Sequence, residues 1–182
     1  MATAALAAPS WAQQTQTVTL LGQADRVCTL SAPELGSGPI ENFAVPSGGV
    51  YAVQELADPN TLTTRAASLT LSMAAMCNGV HRIVVTSENS GLWRQGAPSQ
   101  AVGFGTGVPY RLDLSWADEN PSLDADASSR QSREWQMLVG RPNAGGLEMT
   151  FEIQAGATNA GTGAPMVAGG YSDVVTVSVE AQ

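Results

Sequence analysis

Apolar and polar residues alternate with a period of two along much of this chain. "VTLLGQA" places Val18, Leu20, Gly22 and Ala24 on one side, and "SLTLSMAAMC" places Leu69, Leu71 and Met73 opposite Ser68, Thr70 and Ser72. "YRLDLSW" sets Tyr110, Leu112, Leu114 and Trp116 against Arg111, Asp113 and Ser115. "WQMLV" sets out Trp135, Met137 and Val139, and "LEMTFEI" sets Leu147, Met149, Phe151 and Ile153 against Glu148, Thr150 and Glu152. Such alternation predicts half-buried antiparallel strands. "VYAVQEL" and "VHRIVVTS" are less regular candidates, and "GGYSDVVTVSVEAQ" reads as one last strand with Tyr171, Val175, Val177 and Val179 on one face. That strand runs almost to the end of the sequence, so what covers its free edge becomes the central question.

Between these segments lie turn-rich stretches such as "ELGSGP", "VPSGGV", "ENSG", "GFGTGVP", "RPNAGG" and "GATNAGTGAP". Eight or nine short strands with this spacing predict an all-β antiparallel sandwich. A helical turn or two is conceivable only near "SSRQSREWQ", where Trp135 fits the following strand better, and "WADENPSLDADASSR" reads as a long acidic surface loop. There is no internal repeat, and residues 25–182 parse as a single domain.

The composition supports this and narrows the function. Of 182 residues, 43% are hydrophobic, enough for a core, and only 13% are charged. Eight Arg and no Lys stand against sixteen acidic residues, a formal charge of −8. That balance disfavours nucleic acid, whose phosphates need Lys and Arg, and disfavours anionic membrane surfaces. No segment has the ~20 apolar residues of a membrane span.

The chain opens "MATAALAAPSWAQQ", with small residues at Ser10 and Ala12 before Gln13. Residues 1–12 resemble the back half of a secretory signal cut after Ala12, lacking its positive front; the alternative is an Ala-rich terminus with no targeting role. Export would put Cys28 and Cys77 in an oxidising compartment, where a pair tends to bridge; in a reducing one they would be two buried thiols.

Signs of catalysis are few. His81 is the only histidine, no G-x-S-x-G elbow accompanies it, and a surface or structural role is expected. "GFGTG" lacks the Lys and the helix of a phosphate loop. "DADASS" departs from a calcium loop at its sixth and twelfth positions, Ser129 and Trp135. Glu148 and Glu152 read as solubilising charges on an exposed face. Trp116 and Trp135 fall on apolar faces and read as core anchors, which leaves Trp93, in "NSGLWRQG", as the candidate exposed ligand contact. The chain is therefore expected to be no enzyme and to use no metal or cofactor.

Several segments together resemble the spore coat protein U family, the pilin-like domains of archaic chaperone–usher pili. They are the alternating N-terminal stretch, "CTLSAPELGSG", "MCNGVHRIVV", "GVPYRLDLSW" and the terminal "GGYSDVVTVSVEAQ". The acidic insertion and the ending Glu180-Ala181-Gln182 depart from the family pattern and make the chain a divergent relative. The resemblance implies an immunoglobulin-like sandwich lacking its last strand. A periplasmic chaperone fills the gap first, and the N-terminal extension of another copy or a related subunit follows at an outer-membrane usher. The donor would then be residues 13–24, with Val18, Leu20, Gly22 and Ala24 facing one way, and the acceptor groove would include Tyr171, Val175, Val177 and Val179. This implies a disulfide-bonded fimbrial subunit, secreted through the periplasm to the cell surface for adhesion or biofilm. The competing reading is a self-complete secreted sandwich, an adhesin or glycan-binding module, with "VTLLGQA" as its own first strand. An open sheet edge is otherwise an aggregation hazard, which favours the assembling role.

Overall fold

The computed structural model describes residues 16–38, 40–44, 48–96 and 101–182. The leader-like residues 1–12 and the first part of the expected donor, 13–15, lie outside the described residues. All regular structure among the described residues is β, and every strand pairing is antiparallel. The larger sheet consists of β1 (Cys28–Leu30), β2 (Glu34–Leu35), β3 (Ala67–Cys77), β7 (Tyr110–Ser115), β8 (Ser122–Ala125) and β10 (Asn143–Ile153). Its order is β1-β3-β10-β7-β8, with β2 also on β3. A second sheet has the order β12-β4-β9, from β4 (His81–Ser87), β9 (Arg133–Val139) and β12 (Val175–Ala181). A third, of order β11-β5-β6, joins β5 (Leu92–Arg94), β6 (Gly107–Val108) and β11 (Tyr171–Ser172).

Alternation decides which side chains meet. Leu69, Leu71, Met73, Leu112, Leu114, Leu147 and Met149 from the larger sheet are buried in one cluster with Ile83, Val85 and Val139 from the second. Each such side chain contributes roughly 1.5–3 kcal/mol on burial. A smaller cluster of Ala67, Val108, Tyr110, Ala125, Ile153 and Met166 continues the core beneath the third sheet. The chain thus forms a sandwich, as its patterning predicts.

Cys28 and Cys77 face each other in the β1–β3 ladder and form a disulfide with Cα atoms 4.2 Å apart. Two glycines of "ELGSG" let the following turn lie on β3: a Cβ on Gly36 would come 2.8 Å from Thr70 Cγ2, and one on Gly38 would come 2.3 Å from Thr70 Oγ1.

Four expectations need correction. "VYAVQEL" is no continuous strand: among the described residues it is tied to residues 42–44 by the isolated bridge Phe43↔Val53 and the bonds Ala44 N–H to Ala52 O and Gln54 N–H to Asn42 O. "VTLLGQA" is no strand of its own domain either: residues 18–24 belong to no strand among the described residues, and Val18, Leu20 and Leu21 are 81%, 90% and 94% exposed. The acidic stretch is not wholly a surface loop, since it contains β8 and buries Leu123, Ala125 and Ala127. Finally, the last segment is two strands, β11 and β12, parted at Asp173.

The disulfide closes a separation of 49 residues, for which the chain-entropy model gives about 4 kcal/mol. Replacing both cysteines by alanine should lower the unfolding free energy by up to that amount, read from denaturant unfolding, with a larger m-value because the unbridged unfolded chain exposes more surface.

Candidate functional site

The site is the flank where one edge of each main sheet comes to the surface. β12 is bonded on one side to β4, and no described strand pairs with its other side. Glu88 N–H donates to Val174 O and Gln182 N–H donates to Val80 O, which fixes the even-numbered residues of β12 as the hydrogen-bonded partners of β4. In an antiparallel ladder the intervening residues turn their N–H and C=O the other way. Val175, Val177, Val179 and Ala181 therefore present their backbone groups to the open edge, with no partner there among the described residues. Their valine side chains are half-buried and pack on the main core cluster.

The opposing wall is the outer edge of β3. β1 pairs with its lower end, β2 with its middle, and the Glu41↔Ser68 bridge with its upper end, all on the side away from β10. β1 lies close beside β12. Leu30 of β1, Phe43 and Tyr51 are half-buried against the same cluster as the β12 valines. The Tyr51 hydroxyl donates to Pro33 O at 3.3 Å, which leans the ring along this wall. Sequence reasoning missed these three residues: they follow no regular alternation, and only the climb of the chain along β3 brings them here.

Tyr171 does not share the slot with the valines. It belongs to the third sheet, packs on the smaller core cluster, and its hydroxyl donates to Val167 O at 2.7 Å and Gly105 O at 3.0 Å. The residue between, Asp173, ends the slot. Its carboxylate accepts from Ser87 Oγ at 2.6 Å, Tyr110 Oη at 2.7 Å, and the N–H groups of Asn89 at 3.0 Å and Val174 at 2.8 Å. These bonds anchor the chain between β11 and β12. Burial pushes the Tyr110 phenol well above its usual range; a hydrogen bond with Ser87 opposes this in part, and the charge and hydrogen bond of Asp173 add smaller upward contributions.

Trp93 is corrected as a ligand contact. It is 2% exposed, its Nε1–H donates to Asn89 O at 2.7 Å, and β5 is paired on both sides, so no face is left for a ligand. Gly107 lies against the ring: a Cβ there would come 3.3 Å from Trp93 Cδ2 and Cε3. His81 is fully buried, with Nε2 accepting from Trp116 Nε1–H at 2.8 Å and Nδ1 bonded to Gly79 O at 2.9 Å. Both ring nitrogens are thus engaged inside the core, out of reach of a substrate. In "DADASS", Asp126 is held by Ser128 and lies 3.6 Å from Arg133. No group of three or more His, Cys, Asp and Glu poised for a metal occurs among the described residues.

No protein-family model matches the sequence, and no curated protein matches it significantly.

Two predictions concern Asp173. Asp173→Ala should cost about 3 kcal/mol, because the buried hydroxyls of Ser87 and Tyr110 lose their acceptor; Tyr110→Phe should cost about 1 kcal/mol. Denaturant unfolding checks both. The raised Tyr110 phenol also sets a sign for alkaline stability. The unfolded chain releases this proton near pH 10, while the folded chain retains it. Its contribution is therefore complete below about pH 10 and is lost as pH rises further, which wild type and Tyr110→Phe unfolded in parallel across that range will show.

Proposed function

We propose that this chain is a structural subunit of an extracellular fibre, assembled by donor-strand exchange. The observation that carries this reading is a match between two unsatisfied parts of one molecule. β12 offers an open ladder edge of seven residues backed by half-buried valines. Residues 18–24 offer an equal length of alternating, unpaired and exposed chain. Neither is stable as it stands: unpaired edges template foreign strands, and exposed Val18 and Leu20 gain roughly 1.5–3 kcal/mol each when buried.

The topology supports the same reading. The order β1-β3-β10-β7 corresponds to strands A-B-E-D of an immunoglobulin constant-type sandwich, and β12-β4 corresponds to F-C. The seventh strand of that arrangement, G, pairs with F. Here it would lie on the open side of β12, so an incoming strand would complete the sandwich. Strand addition of this kind gains main-chain hydrogen bonds for affinity and alternate side-chain pockets for specificity.

Polarity follows from where the extension leaves. It joins the domain at Cys28, beside Asn78 and Gln182, at the end of β12 that carries Ala181. A head-to-tail fibre needs the donor's own domain at the opposite, Val175 end. The donor strand then runs antiparallel to β12, and each subunit keeps its own extension free for another. Together with the resemblance described above, this supports reading the chain as a subunit of a chaperone–usher fimbria. A periplasmic chaperone would occupy the slot before exchange at an outer-membrane usher, and the finished fibre would serve adhesion or biofilm.

A peptide with the sequence of residues 13–24, mixed with a chain lacking those residues, should form a complex that withstands heating on a denaturing gel. Val177→Asp, which puts a charge on the slot floor, should reduce capture at least tenfold while the domain still folds. A truncated chain that ignores the peptide would sink the reading.

A further inference from the structure

The exposed N-terminal segment is held firmly at its root. Asn78, in the turn between β3 and β4, bonds to it three times. Its Oδ1 accepts from Val27 N–H at 2.8 Å, its Nδ2 donates to Asp25 O at 2.8 Å, and its backbone N–H donates to Val27 O at 3.2 Å. The Arg26 guanidinium donates to Gln182 O, tying the same root to the end of β12. Since Cys28 faces Cys77 in the β1–β3 ladder, Val27 facing Asn78 extends that ladder by one step. The root therefore continues the line of β1 and points past the end of the sheets.

This direction matters because a slot lies within reach of the same chain. β12 descends toward the end from which β1 starts. Residues 18–24 could enter their own slot by reversing at residues 25–27, lying antiparallel to β1 and parallel to β12. Three-residue reversals between antiparallel strands are common. A segment tethered so shortly has an effective concentration on the order of millimolar, above that of any second copy at ordinary dilution. Such a reversal would carry the Asp25 carbonyl and the Val27 amide into a turn and off Asn78.

We infer that Asn78, seconded by Arg26, is a positioning residue that keeps the donor segment out of its own chain's slot and leaves it available to a second copy. The inference rests on the donor-strand reading above. It adds a molecular reason why intramolecular completion does not pre-empt assembly.

The test uses the full-length chain, purified as a monomer, with a synthetic peptide of residues 13–24 as probe and native mass spectrometry as readout. Wild type should take up the peptide. Asn78→Ala should take up about tenfold less, the equivalent of about 1.4 kcal/mol of lost bias. Asn78→Asp, which keeps the acceptor for Val27 and loses the donor to Asp25, should fall between. Deleting residues 13–24 from the Asn78→Ala chain should restore uptake, because no segment remains to occupy the slot from within; damage to the slot itself would not be repaired this way. Equal uptake by wild type and Asn78→Ala would overturn the inference, as would a loss that persists after the deletion. If wild type takes up no peptide while its truncated form does, the extension already occupies its own slot and the positioning role is refuted. If neither form takes it up, the donor-strand reading fails and this inference with it.

Discussion

Four residues of one strand turn their backbone N–H and C=O groups away from the single strand that pairs with it among the described residues, and the rest of the account depends on that. Val175, Val177, Val179 and Ala181 are committed to the open side of β12 by the register of the β4–β12 ladder. An unpaired edge in water is tolerable. What makes this one consequential is the row of half-buried valines beneath it, which share a core cluster with Leu30, Phe43 and Tyr51 of the facing wall. A strand laid there would satisfy the ladder and remove apolar surface from water in the same step.

The remainder of the molecule holds that edge in place. Asp173 gathers Ser87, Asn89 and Tyr110 where β11 gives way to β12, and Tyr171 on the far side of it serves the third sheet. The Cys28–Cys77 bridge fixes β1 against β3 at the other limit, where Asn78 and Arg26 set the departure of the N-terminal segment. The exposed N-terminal segment and the open β12 edge thus sit at one end and along one flank of the sandwich, the arrangement that the proposed head-to-tail, non-closing association requires.

Much of the fold was legible because period two is a strong signal where one strand face is buried. β3, β7, β9 and β10 follow their alternation, while in β12 it is blurred because Ser178 and Glu180 are half-buried along with the valines. Where sequence reasoning went astray, contacts distant in the chain outweighed the local pattern. Asp173 lies in phase with the valines, and nothing nearby announces Ser87 and Tyr110 as its partners. Trp93 sits among glycine and polar residues that suggest a surface, yet a three-residue strand paired on both sides buries it. The acidic composition around Asp124 and Asp126 concealed the inward positions of Leu123, Ala125 and Ala127 between them. Of the slot, the β12 valines could be read from the sequence. Phe43 and Tyr51 could not, since an irregular climb along β3 places them.

Amide hydrogen exchange, resolved by residue along β12 in the truncated chain lacking residues 13–24, tests the central claim most directly. The amides of Val175, Val177, Val179 and Ala181 should exchange rapidly while those of Thr176, Ser178 and Glu180 are protected by β4, and the first set should become protected when the peptide is added. Protection of both sets alike before any peptide is present would show that the edge is already paired, and would contradict the account.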